Sequence, residues 1–129
     1  MCGGGNIADQ VLVVAGGGAS EANGSYTPNG NFNGMPQWIN KSNGLEIWRA
    51  ENGEWRIGNY SNSQYYYVSE PIGDGQDAHK FFVELNKNSR TVPIWRVPMP
   101  HREDRHPNAA EPVPNVAPGL CGGWCCGVC

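Results

Sequence analysis

Leu45–Ser69 reads LEIWRAENGEWRIGNYSNSQYYYVS and carries the clearest strand pattern in the chain. Two short strand-like pieces, Leu45–Arg49 and Trp55–Ile57, flank Glu51-Asn52-Gly53. Asn-Gly supplies the positive φ that a tight antiparallel connection needs, so the two pieces form a hairpin. A third strand follows a polar loop and contains Tyr65-Tyr66-Tyr67. Trp48, Trp55, Tyr60 and the three consecutive tyrosines all fall in this meander, and a small domain buries such residues first. Side chains alternate across a strand, so the neighbours Ile47 and Trp48 cannot enter one core together. The aromatics are therefore expected to divide between a core face and an outward row.

The rest of the chain extends the pattern. Asn-Gly recurs at 23–24, 29–30, 33–34, 43–44 and 52–53, and Gly 18 and Pro 10 exceed a fifth of the 129 residues. Helical periodicity is almost absent. The expectation is one all-β domain: a small antiparallel meander, partly open barrel or sandwich of about seven to eight short strands. Gln10–Ala15 is a β-branched strand, and Ser25–Thr27, Phe32 and Met35–Ile39 are short strand pieces among turns. Pro28 and Pro36 suit strand edges, because proline cannot donate to a ladder. Glu70–His79 reads as a polar loop, and Lys80–Leu85 and Thr91–Val97 as the last strands. The Gly16-Gly17-Gly18 run fails as a phosphate loop: the dinucleotide spacing would want glycine at Glu21 or Asn23, and no Lys-Ser/Thr follows. It reads instead as a flexible turn out of the first strand.

From Pro98 the composition changes, with six prolines between positions 98 and 119 and little to bury. The expected organisation is a flexible lead-in at 1–9, the β domain at 10–97, an extended Pro-rich arm at 98–120 and a Cys-rich tail at 121–129. The formal charge of −3 and the absence of a basic run disfavour nucleic acid, which needs clustered cations, and an anionic membrane surface likewise. No stretch is apolar enough for a membrane span. The start lacks a basic n-region, and its apolar stretch is short for a signal peptide. An intracellular location is expected, or an extracellular one if residue 1 follows a cleaved precursor. Asn23, Asn40 and Asn59 stand in sequons that could carry glycan on a secreted chain, or that arise by chance in a chain with fourteen Asn, the reading preferred here.

Residues from Val13 to about Pro98 resemble a small β module of dinoflagellate, algal and other protist proteins. The matching residues are Val14–Ala19, Asn23-Gly24-Ser25-Tyr26-Thr27-Pro28-Asn29-Gly30, Asn33-Gly34-Met35-Pro36, Ile47-Trp48, Trp55-Arg56-Ile57 and Tyr65-Tyr66. Where that module continues with a Pro-rich turn and Gly-Trp, this chain has Pro71-Ile72-Gly73 and no Trp. The resemblance implies a compact β unit, often repeated or joined to other domains, with a binding or structural role and no catalytic assignment.

Four thiols, Cys121, Cys125, Cys126 and Cys129, crowd the end of the chain. They fit a tetrahedral zinc site, disulfides, S-acylation or free thiols, and spacing alone does not choose. His101-Arg102-Glu103-Asp104-Arg105-His106 is a charged knot between prolines: a partner-facing arm with self-cancelling charge, or two histidines that could join the tail thiols on zinc. No G-x-S-x-G or H-E-x-x-H motif is present, and Glu46, Glu54 and Glu84 mark a solvated sheet face. The expected function is non-enzymatic: a structural or protein-interaction subunit of a filament or multi-subunit complex. It would dock on other subunits through the C-terminal arm and its His101, Arg102, Arg105 and His106. The alternative is a carbohydrate- or peptide-binding module that uses outward Trp48, Trp55, Tyr65 and Tyr67.

Overall fold

A computed structural model describes residues 9–69 and 95–119. The loop at 70–79, the strand at Lys80–Leu85, the start of the strand at 91–97 and the four tail cysteines lie outside the described residues. The strands are β1 (Leu12–Ala15), β2 (Gly24–Phe32), β3 (Met35–Ile39), β4 (Glu46–Arg49), β5 (Trp55–Asn59), β6 (Gln64–Ser69), β7 (Trp95–Arg96) and β8 (Asn115–Pro118). They form one antiparallel sheet in the order β7-β6-β5-β4-β3-β2-β1-β8, curled into a half-barrel. The helix that lies wholly within the described residues is one 3-10 turn, Ser20–Ala22, and no described helix is long and apolar enough to cross a membrane. The all-β class expected from turn chemistry holds.

All five Asn-Gly glycines have positive φ, but they serve different ends. Asn33 and Gly34 both lie there, at 53° and 77°, and close the β2–β3 hairpin in two residues between Phe32 and Met35. Gly30 sits in a bulge between Pro28 and Asn31. Gly53, at 94°, ends the β4–β5 turn, where Ala50 N–H donates to Glu54 O and Glu54 N–H to Asn52 Oδ1.

The concave face carries the main core. Trp38, Ile47, Ile57 and Tyr67 stand opposite one another across β3 to β6, joined by Leu12, Val14, Tyr26, Trp55, Trp95 and Val116. Trp38 and Trp55 pack with centroids 6.4 Å apart. The convex face was expected to be an exposed aromatic row. It holds a second buried cluster instead: Trp48, Tyr65 and Val68, with Phe32 against them. A bulge adds to this. Ile57 pairs with Tyr67 and its neighbour Gly58 with Tyr65, so Tyr66 is the extra residue on β6. Simple alternation stops there, and Tyr66 and Tyr67 both join the main core while Tyr65 joins the outer cluster.

The domain does not end at Val97, as the drop in composition suggested. Residues 97–114 form a strap joining β7 to β8, the two outermost strands of the half-barrel. Its backbone is not the extended arm expected but a series of turns, closed by Arg102 N–H to Met99 O, Arg105 N–H to Arg102 O and Ala109 N–H to His106 O, and it lies on its own domain. Tyr65 N–H donates to Asp104 O and His106 N–H to Tyr65 O, which makes a parallel bridge on the free part of the β6 edge. Pro98 and Ala109 are buried, and β8 pairs with β1 from Leu12–Pro118 to Ala15–Asn115. Proline content misled because prolines here occupy edge and strap positions, where a missing N–H leaves no ladder incomplete.

Candidate functional site

The convex face of β4 and β5 opens into a hollow of about 440 Å³ lined by Phe32, Asn33, Trp48, Ala50, Glu51, Asn52, Arg56 and Tyr60. Three turns build it. The β2–β3 hairpin brings Phe32 and Asn33, the β4–β5 turn brings Glu51 and Asn52, and the β5–β6 turn brings Tyr60. Trp48 and Arg56 are cross-strand partners, so both project from the same convex face as the floor.

Tyr60 is 48% exposed, while Trp48 beneath is 1% exposed. The Tyr60 ring meets Phe32 edge-on at 5.1 Å and Trp48 at 5.5 Å, and Trp48 meets Tyr65 at 5.3 Å. This chain of T-shaped contacts holds Tyr60 in place and leaves part of its ring to solvent. The Arg56 guanidinium lies 4.7 Å over the Tyr65 ring, and its Nε donates to Glu54 Oε1 at 3.0 Å. Stacking and the Nε bond set the plane of the fork. Among the described residues its two Nη groups make no hydrogen bond. Glu51, Asn52 and Asn33 are exposed around the rim. The hollow thus combines one accessible ring, one oriented cation, one carboxylate and two amides.

Two polar seams fasten the strap. Arg102 donates to Glu54 through Nη1 at 3.0 Å and Nη2 at 3.2 Å, and to Asp104 through Nε at 2.8 Å and Nη2 at 2.7 Å. Burial pushes the Glu54 carboxyl up, but Arg102 and Arg56 outweigh it and hold it below its ordinary value; Arg102 likewise lowers Asp104. In the second seam Asn108 N–H donates to His106 Nδ1 at 2.9 Å, which places the ring proton on Nε2. That Nε2 lies 3.2 Å from Tyr66 Oη, whose own hydrogen goes to Glu21 Oε2 at 2.9 Å. Asn108 Nδ2 also donates to Glu21 Oε2, and this bond leads in lowering the Glu21 carboxyl. Burial, and then Glu21, push the Tyr66 phenol up.

The residues expected to bind are distributed differently. Trp48, Trp55, Tyr65 and Tyr67 are at most 5% exposed and belong to the two cores, so they form no exposed row. Two burying faces and the β6 bulge account for this. Arg102 and His106 serve the seams, and Arg105 donates to Pro98 O and Ala109 O within the strap. These three face their own chain, while His101 is exposed. Both ring nitrogens of His106 are engaged, so it is not presented as a metal ligand, and no metal-binding group of His, Cys, Asp or Glu exists among the described residues. Asn40 is buried, and its Oδ1 accepts from Ser42 N–H. Asn23 closes the Gly-rich turn through two bonds with Gly17, and Asn59 accepts from Asn62 N–H.

Phe32, Asn33 and Arg56 were not expected to bind, and Tyr60, grouped by sequence with the meander aromatics that a small domain buries first, is instead half-exposed. A usable signal existed for Tyr60: it is an aromatic residue set among Asn59, Ser61 and Asn62, in a turn that has no place in strand alternation. No protein-family model, curated protein or solved structure matches the chain.

Proposed function

We propose that the chain is a non-enzymatic recognition module whose working surface is the Tyr60 hollow on the convex face. The observation that supports this is Tyr60 itself: a half-exposed ring held by Phe32 and Trp48 within a rim of Arg56, Glu51, Asn52 and Asn33. An exposed ring fixed by edge contacts offers contact area at low entropic cost, and such rings are enriched at recognition surfaces. The ligand has a flat apolar face and several hydrogen-bonding groups. A partner protein that displays such a group is held in the same way, and this is how the module takes its place in a larger assembly. The strap is not the docking element in this reading, because Arg102 and His106 hold it to its own sheet and Arg105 is engaged within it.

The test is an NMR titration of labelled full-length protein with a mixed panel of soluble oligosaccharides and short peptides. Shifts confined to Phe32–Asn33, Ala50–Asn52, Arg56 and Tyr60 are expected. Tyr60→Ala is expected to weaken that binding about tenfold or more while leaving the spectrum dispersed. Binding that maps to the strap, or to no region, overturns the assignment.

A further inference from the structure

We infer that the hollow takes a neutral pyranose sugar, as one ring of a glycan. This rests on the recognition reading above and names the ligand class of the same site. A pyranose has an apolar C–H face and a rim of hydroxyls that are both donors and acceptors. The hollow offers the complement of each part. Tyr60 is the only lining ring with substantial exposure, so it supplies a platform for one C–H face and not a slot for an inserted side chain. Trp48 closes the floor at 1% exposure, which leaves no deep apolar pocket to anchor a peptide's aromatic or aliphatic residue.

The rim chemistry points the same way. Arg56 presents two Nη groups that donate only, in a plane set by its Nε bond to Glu54 and by its stacking on Tyr65. Donors in a fixed fork suit the oxygens of two neighbouring hydroxyls. Glu51 accepts only, and Asn33 and Asn52 each offer a carbonyl and an amide. A set of donors, acceptors and amides around one ring matches hydroxyls, each of which must both give and receive. Charge separates neutral from acidic sugars. Arg56 already shares Glu54 with Arg102, and exposed Glu51 stands on the same rim, so the hollow holds no excess positive charge for a carboxylate. A volume of about 440 Å³ accommodates one ring with its first-shell water and not a long oligomer.

The experiment uses the full chain and soluble oligosaccharides of glucose, mannose, galactose and N-acetylglucosamine, with glucuronic acid and an aromatic tetrapeptide as competitors. Binding is followed by the side-chain amide signals of Asn33 and Asn52 and by calorimetry. At least one neutral sugar is expected to bind with a dissociation constant of about 1 mM. Tyr60→Ala should remove that binding, and Arg56→Gln should weaken it about tenfold, both with amide spectra as dispersed as the parent's even though each variant gives up packing or pairing contacts and unfolds somewhat earlier. Saturable peptide binding at the hollow with no sugar response overturns the sugar assignment and leaves the recognition reading standing. Glucuronic acid bound more tightly than every neutral sugar overturns the charge argument and with it the inference. No response at the hollow from any probe overturns both.

Discussion

At the scale of single residues, two glycines show how closely the backbone approaches itself. Gly58 lies opposite the β6 bulge, and a Cβ there would run into Gln64 O and the Tyr65 Cα. Gly58→Ala is expected to lose about 2 kcal/mol in urea unfolding, because relief requires moving backbone and not a flexible side-chain end. An unchanged midpoint would show that the bulge can relax. Gly18 meets the Glu111 backbone in the same way, and its N–H donates to Pro112 O at 2.8 Å. The Gly16-Gly17-Gly18 run was readable as a turn. Its second role, as the surface on which the strap lies, depends on a segment more than ninety positions away and left no local trace. Tyr67 has a similar history. Its aromatic character suited a core position as well as the outward binding role considered for it, and showed nothing of its hydroxyl, which accepts from Ala19 N–H and donates to Ala110 O, tying β6 to the first turn and to the strap. Tyr67→Phe leaves both backbone groups without this partner and is expected to cost about 1–3 kcal/mol by calorimetry.

At the scale of elements, the strap is fastened by carboxylates, and that sets a direction for its pH dependence. Glu54, Asp104 and Glu21 are all held below their ordinary values of 4.5, 3.8 and 4.5. A lowered folded value contributes stability above the unfolded value, and this is lost as pH falls through the folded one. The seams are therefore complete at neutral pH and weaken from about pH 4.5 downward. Glu46 opposes the trend. Burial raises its carboxyl, so protonation on acidification relieves a penalty. Glu54 and Asp104 share Arg102, whereas among the described residues Glu46 receives only the neutral Gln37 Nε2, so net loss with acid is expected. Arg102→Ala tests the assignment. With Arg102 and Glu54 side chains 24% and 11% exposed, the loss at neutral pH should be about 1–2 kcal/mol, between surface and buried pairs. The variant's stability should also fall less steeply below about pH 4.5, because two carboxylates have lost the group that lowers them. Parallel pH profiles for the variant and the parent would remove the seam from the account.

At the scale of the whole molecule, the meander was legible because its signals are local: Asn-Gly turns, short β-rich runs and clustered aromatics all lie within a few residues of their effects. The closure was not. β8, Asn115–Pro118, is four residues long, with Val116 its one buried apolar side chain and a proline at its end, and nothing nearby marks β1 as its partner. The Tyr60 hollow was hidden for the same reason, since three separate turns assemble it. The domain boundary at Val97 therefore makes a sharp prediction. A chain stopped there loses four register pairs on β1, Val116 from the core, the Tyr65 edge bridge and both polar seams. It exposes β1 as an unpaired edge strand beside Leu12 and Val14, a template for association between chains. Such a chain is expected to lose cooperative unfolding and to aggregate at room temperature, while a chain stopped at Gly119 keeps every described contact and unfolds in one transition. Amide dispersion in NMR spectra of the two truncations decides the matter. A well-dispersed monomer of residues 1–97 would return the strap to the status of an appendage, and its loss of structure makes the strap part of the fold.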